Sequence, residues 1–304
     1  MHKVIIIGAG PAGMAAALQL KRYDIDALLL EANLPGGLLN NANKVENYLG
    51  FPGGLSGTEL IKHFTAQLTD HKIKITQDFV EKIDSSAPSS RGLTAGSSDI
   101  KDFKVLDSAI KSRNDKIHKF IVYGAKQVYQ SEKLILATGT TPIKPDINLK
   151  TKIFFDVVDL VDVKNKRIII VGAGDAAFDY AINLAQHNHV TILNRGKEIK
   201  ALPILQKIVT ENSNIDYIDN VSINDYLKIN NEFDNLLFAI GREPNKPKYS
   251  AKLAEKESEL ITKKKLFLIG DIKNDIYRQT SLAVADGIKA AMKIAMENKS
   301  ENNK

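Results

Sequence analysis

A chain of 304 residues is long enough for one large domain or two ordinary ones, each with its own buried core. Its 43% apolar and 26% charged residues are those of a globular protein rather than a disordered or fibrous one. It contains no cysteine, which excludes disulfides, thiolate metal centres, cysteine-ligated iron–sulfur clusters and any dithiol relay within the chain. No apolar run is long enough to suggest a membrane-spanning helix. Met1-His2-Lys3 leads straight into a strand pattern without a signal-peptide layout, so a cytoplasmic location is expected. The 42 Lys and Arg exceed the 36 Asp and Glu by six, a mild excess spread along the chain. Such a surface is usually only solvated, and its sharper use is as a docking face for an acidic protein partner.

Val4-Ile5-Ile6-Ile7 is an all-β-branched run that suits a strand buried on both faces of a parallel sheet. It enters Gly8-Ala9-Gly10-Pro11-Ala12-Gly13, and a helix pattern follows through Met14, Ala17, Leu18 and Leu20. A second strand, 27–30, ends at Glu31. In a strand–turn–helix of this kind the first glycine makes the turn and the second lets backbone approach a pyrophosphate. The third lets the helix pack closely on the strand, and the phosphates rest at the helix N-terminus. A carboxylate about 20 residues further on, here Glu31, is placed to hold a ribose diol. The spacing therefore predicts a dinucleotide site.

Downstream, short strand patterns are expected at 73–75, 79–83, 103–106, 120–123 and 127–129, with a surface loop over 85–98. A further strand, 133–136, enters Ala137-Thr138-Gly139. The βαβ signature then recurs as a whole. Ile168-Ile169-Ile170-Val171 leads into Gly172-Ala173-Gly174-Asp175-Ala176-Ala177, then a helix through Phe178, Ala181, Ile182 and Leu184, then a strand 190–193. Alanine at the third glycine position is an accepted variant. The place of Glu31 is taken here by Asn194, followed by Arg195, Lys197 and Lys200. A carboxylate there would repel a ribose 2′-phosphate, whereas an amide and several cations attract one, so NADPH is favoured over NADH. His187-Asn188-His189 lacks further ligands at metal spacing and reads as a loop; no metal site is expected.

With both glycine turns in place, the chain resembles the low-molecular-weight thioredoxin reductases and their flavoprotein relatives over nearly its whole length. The segment 31–38, including Ala32, Gly36, Gly37 and Leu38, is similar to the family's path from the FAD ribose toward the flavin. Residues 45–48, with Asn47 and Tyr48, then Gly50-Phe51-Pro52 and 55–60, resemble the loop beside the isoalloxazine ring. Tyr48 is placed either to stack on the flavin or to pack in the core. Residues 137–139 and 239–245, with Ile240 and Gly241, resemble two crossings between domains. Gly270-Asp271 and Tyr277-Arg278-Gln279-Thr280 resemble the closing FAD motif. The resemblance implies that Asp271 meets the ribityl chain, that Arg278, Gln279 and Thr280 meet the pyrimidine end of the flavin, and that Val80 offers backbone to adenine. A cation near a helix start is chemically apt there, because reduced flavin gains negative charge at that end.

The implied fold is α/β, with two Rossmann-like, three-layer units. A nucleotide domain (144–240) is inserted in a discontinuous FAD domain (1–143 and 241–304), the segments 139–142 and 240–244 forming the hinge. The resemblance also implies a homodimer and rotation of the inserted domain. One departure is decisive. Where true thioredoxin reductases carry a CxxC pair, this chain reads Phe155-Asp156-Val157-Val158. That stretch resembles the cysteine-free, thioredoxin-reductase-like ferredoxin–NADP reductases, although this chain lacks their C-terminal extension over the flavin. Asp156 and Asp159 are expected as exposed helix carboxylates, with assistance to a proton transfer as the sharper alternative. No catalytic side chain is expected, because the chemistry is centred on the flavin. The expected activity is hydride transfer from NAD(P)H to FAD and on to an external acceptor, ferredoxin or flavodoxin first. A small acceptor such as oxygen, quinone or an external disulfide is the alternative, and a non-catalytic FAD-binding sensor is a third.

Overall fold

A computed structural model describes residues 1–86, 119–147, 152–230 and 232–302. The strand expected at 103–106 and most of the loop expected at 85–98 lie outside the described residues.

The first α/β unit is built on a sheet that opens with β1 (His2–Ile7) and β2 (Ala27–Glu31), joined through α1 (Pro11–Arg22). Its next strands in the chain are β3 (Ile75–Gln77), β4 (Val80–Ser86), β5 (Lys119–Gly124) and β6 (Val128–Leu136), with α2 (Gly57–Asp70) before β3. β1 lies between β2 and β6, parallel to both, and β2 continues to β3. β6 has two roles. Its first half closes an antiparallel meander with β5 and β4, and its second half pairs in parallel with a strand from far down the chain (Leu266–Leu268). The sheet is buried on both sides. One face packs under α1 and the C-terminal helix (Thr280–Asn302) around Val4, Ile6, Leu29 and Ile135, the other around Ile5, Leu30, Phe120 and Leu134. Small residues let those two helices approach closely, so that a Cβ on Gly287 would fall on the Ala12 carbonyl oxygen.

From β6 the chain crosses through β7 (Thr140–Pro142) into a second sheet. That sheet comprises β8 (Ile153–Phe154), β9 (Arg167–Val171), β10 (His189–Leu193), β11 (Ile215–Ile218) and β12 (Asn235–Phe238), all parallel, in the order β11-β10-β9-β12-β8. α3 (Asp175–Leu184) and α4 (Pro203–Glu211) cover one face; α5 (Ile223–Ile229) packs on the other. The return crossing is β13 (Arg242–Pro244), antiparallel to β7 with Arg242 opposite Pro142 and Pro244 opposite Thr140. The two crossings expected at 139–142 and 240–244 thus form one two-stranded ribbon. β14 (Lys248–Tyr249), α6 (Ala251–Thr262), β15 (Leu266–Leu268) and α7 (Thr280–Asn302) complete the first unit.

Three local features differ from expectation. The strands expected at 127–129 and 133–136 are one, because Ser131 and Lys133 are buried rather than exposed at a turn; Lys133 pairs with Glu297 of α7. Residues 56–60 open α2, with Ser56 and Glu59 in a reciprocal capping box. His189 faces Asp216 across β10 and β11 at 2.8 Å, and Asn188 is buried with its amide on the carbonyls of Val163 and Leu184.

Candidate functional site

The turn between β1 and α1 is shaped by contacts that only glycine permits. A Cβ on Gly13 would fall on the Gly8 carbonyl, and Gly8, at φ +104°, is pressed against the Ala137 carbonyl. Gly10 differs: it is the helix N-cap and nothing lies within 4 Å of the place its Cβ would take. The turn is therefore closed behind and open in front. Pro11 begins the helix and no acidic residue stands in its first turn, so its first amides are free of a carboxylate from the helix itself.

Glu31, at the end of β2, is fixed beside this turn. Its carboxylate accepts from the Ala9 amide at 2.6 Å and the Asn33 amide at 3.0 Å. Both oxygens keep capacity for a diol. The Asp78 amide donates to the Glu31 carbonyl at 2.9 Å, which places the start of β4, with Val80, next to Glu31. Gly36 donates its amide to the Ala9 carbonyl at 2.8 Å, and a Cβ on Gly37 would stand 3.6 Å from Gly10 Cα. Ala32 and Leu38 are half-buried along the same path.

The opposite wall comes from both crossings and the start of α7. Thr138 Oγ donates to the Asn245 carbonyl at 2.5 Å, and the Asn245 amide donates to the Gly139 carbonyl at 2.9 Å. Gly139 has φ +63° and open space where a side chain would stand. Gly270, at φ +69°, donates its amide to Asp286 at 3.2 Å. Burial pushes the Asp271 carboxyl up from its usual range, partly offset by the nearby Arg278 and Arg242. Asn47 donates to Gln279 at 2.8 Å, joining the 45–52 loop to the segment before α7, which begins at Thr280. Arg278 donates through Nη1 to the Arg242 carbonyl at 3.2 Å, while its Nε is buried with no partner among the described residues. These residues fit FAD: a cradle open at Gly10 and Gly139, and a buried cationic donor left unsatisfied beside a helix N-terminus. Tyr48 stacks on Phe51 at 6.2 Å and meets Phe64 edge-on at 5.6 Å, so its ring packs against α2.

The second turn repeats the first. Gly172 presses on the Ala239 carbonyl with Ala177 close behind, and Gly174 is the open N-cap of α3. Asp175 is turned aside, accepting from the Leu202 amide at 2.8 Å, and Ala176 is exposed next to it. The Lys200 amide donates to the Ala173 carbonyl, which folds the basic loop against the turn. Asn194 is buried, with its side chain committed to that loop and to β11. Its amide nitrogen donates to the Glu198 carbonyl and the Tyr217 hydroxyl, each at 2.9 Å, and its oxygen accepts from the Gly196 amide at 3.0 Å. Arg195, Lys197 and Lys200 are exposed. Ile240 and Gly241 sit at the mouth of the crossing, with the Ile143 amide on the Gly241 carbonyl at 3.0 Å.

Asp156 is not the free surface carboxylate expected. It accepts from Asn41 Nδ2 and from Arg242 Nη1, each at 2.8 Å. Sequence reasoning also passed over Asn41, Asn43 and Asp179. The one signal available for Asp179 is its position between the apolar residues Phe178 and Tyr180 on α3.

The chain matches the pyridine nucleotide-disulphide oxidoreductase family over residues 2–287. A thioredoxin reductase of Rickettsia typhi is 27% identical, the match covering 96% of this chain and 97% of the relative. One from Bacillus subtilis is 27% identical over 97% and 94%. Among solved structures, the Lactococcus lactis thioredoxin reductase in its FR conformation superimposes with a TM-score of 0.72 at 23% identity, covering 98% of this chain and all of that one. The Staphylococcus aureus bacillithiol disulfide reductase gives 0.67 at 18%, over 97% and 98%. Two glycine turns on two parallel sheets, joined by a ribbon and matched over this length, make the chain a member of the pyridine nucleotide-disulphide oxidoreductase family, FAD-dependent enzymes that draw their electrons from NAD(P)H.

Proposed function

We propose that this chain carries hydride from NADPH to FAD and passes the electrons directly to an acceptor outside the chain. One observation carries the reading: both nucleotide turns are intact, yet no cysteine exists to receive electrons from the flavin. We take 1–143 with 241–304 as the FAD domain and 144–240 as the nucleotide domain, hinged at the β7–β13 ribbon.

Bound FAD supplies the hydride-accepting ring; the chain's own residues bind and orient. The N-terminus of α1, with Gly8, Gly10, Pro11, Ala12 and Gly13, would hold the pyrophosphate, and Glu31 the ribose. Asp271 would orient the ribityl hydroxyls. Arg278, aligned by the Arg242 carbonyl, would place positive charge where reduction adds negative charge. In the nucleotide domain Gly172, Gly174 and Ala177 would admit the second pyrophosphate. Because Asn194 is committed to shaping its loop, a 2′-phosphate would fall to Arg195, Lys197 and Lys200.

The formal charge of +6 favours an acidic one-electron carrier, a ferredoxin or flavodoxin, as acceptor. A second reading, an external disulfide, is favoured by the names of the relatives, which act on thioredoxin or bacillithiol disulfide. A homodimer accords with the apolar Leu282, Ile288, Met292 and Met296, which stand exposed along α7. NADPH oxidation under nitrogen, measured with ferredoxin and separately with a small organic disulfide, tests the acceptor. Turnover with ferredoxin supports the first reading, turnover with the disulfide alone supports the second, and turnover with neither contradicts both.

A further inference from the structure

Away from the β7–β13 ribbon, the two units meet through a short polar seam. On the first unit it uses the end of the 3₁₀ turn Gly37–Asn41 and the residues after it. On the second it uses the 155–158 stretch and α3. Asn41 is buried and donates to Asp156, while its oxygen accepts from the Val158 amide at 3.1 Å. Arg242 completes this contact from the ribbon, giving Asp156 one guanidinium N–H and Thr140 two. The second contact is the Asn43 amide donating to Asp179 at 2.9 Å.

The two aspartates differ in what faces them. Asp156 has a guanidinium and an amide side chain. Asp179 has one backbone N–H from the first unit, Asp175 a turn earlier on its own helix, and the neutral hydroxyl of Tyr180, which burial pushes up to about 12. Asp156 and Arg242 lie beside Tyr180, and Lys44, next in the chain to Asn43, is paired with Glu46. No cation balances Asp179 among its described contacts. Burial, then the repulsion of Asp175, raises its carboxyl to about 6 despite the Asn43 bond.

We propose that Asn41, Asn43, Asp156, Asp179 and Arg242 form a two-point latch between the units, in which Asp156 fastens the seam and the charge on Asp179 loosens it. A group whose pKa is higher in the closed arrangement than in the open one binds more protons when closed, so closure strengthens as pH falls. Parting the seam exposes Asp179 to water and returns it toward 3.8. The closed-to-open ratio should therefore fall as pH rises through this window, by up to about a hundredfold, and level off above about 6. The same chemical change at the two aspartates should then act in opposite directions. Asp179→Asn, a neutral isostere, closes the seam and abolishes its pH dependence. Asp156→Asn, which loses the charge facing Arg242, opens it at every pH.

The inference concerns the domain seam and stands whether or not the acceptor is ferredoxin. Because the chain has no native thiol, dyes absorbing to the red of flavin can be attached at Lys62→Cys on α2 and Lys207→Cys on α4 without background. Energy transfer is then read from pH 4.5 to 8 on the FAD-loaded protein without nucleotide. The expected result is a closed fraction that falls with rising pH in the parent, is high and flat in Asp179→Asn, and is low in Asp156→Asn. Asn41→Ala, which removes both bonds to the 155–158 stretch, serves as a second opening variant should Asp156→Asn fold poorly. A pH-independent parent, or variants at Asp156 and Asp179 that shift the distance the same way, would overturn the latch.

Discussion

Gly10 and Gly13 stand three residues apart in one turn, yet the structure assigns them different work. A side chain at Gly13 collides with the Gly8 carbonyl, so Gly13→Ala should lower the stability of the protein itself by several kcal/mol. A side chain at Gly10 meets nothing, so Gly10→Val should leave the urea midpoint of the FAD-free protein nearly unchanged. It should weaken FAD binding at least tenfold, about 1.4 kcal/mol, by filling the space the pyrophosphate needs. Equal stability losses at both positions would contradict the division. The sequence already gave these glycines their spacing, because backbone approach leaves no alternative residue. It could not show that both polar atoms of the Asn194 side chain are already committed, since that depends in part on Tyr217 arriving from β11.

Among elements, the proposed coenzyme preference falls to the basic loop after β10. Arg195→Ala combined with Lys200→Ala should raise the KM for NADPH at least tenfold and leave that for NADH nearly unchanged, because only NADPH brings a 2′-phosphate. Equal effects on both coenzymes would remove the loop from specificity. The strand β6 makes a separate prediction. Lys133 lies at 3% exposure in the middle of the sheet, compensated by Glu297 from α7. Glu297→Ala strands that charge and should cost about 3 kcal/mol in a urea melt; a change below about 1 kcal/mol would contradict it. The same residue explains why β6 was hard to read. Ser131-Glu132-Lys133 looks like a polar break until α7, far away in the chain, supplies the partner. α2 was legible in principle, through the Ser56–Glu59 capping box, but apolar and aromatic residues before it read equally well as a loop.

For the molecule as a whole, the repeated βαβ signature foretold two nucleotide units, and the structure adds how they are joined. The β7–β13 ribbon is visible in sequence as two Gly- and Pro-bearing crossings, whereas the polar seam is not, because Asn41, Asp156 and Asp179 follow no local pattern. The complete lack of cysteine makes a simple prediction: alkylating reagents specific for thiols should leave electron transfer unchanged, and any inhibition would point to a thiol carried by the acceptor. The central claim is that the second unit delivers hydride to a flavin held by the first. Anaerobic titration of the FAD-loaded protein with NADPH, and separately with NADH, tests it through the flavin absorbance. Stoichiometric bleaching, with NADPH the better donor, is the predicted result. A flavin that stays oxidised with both nucleotides would contradict it.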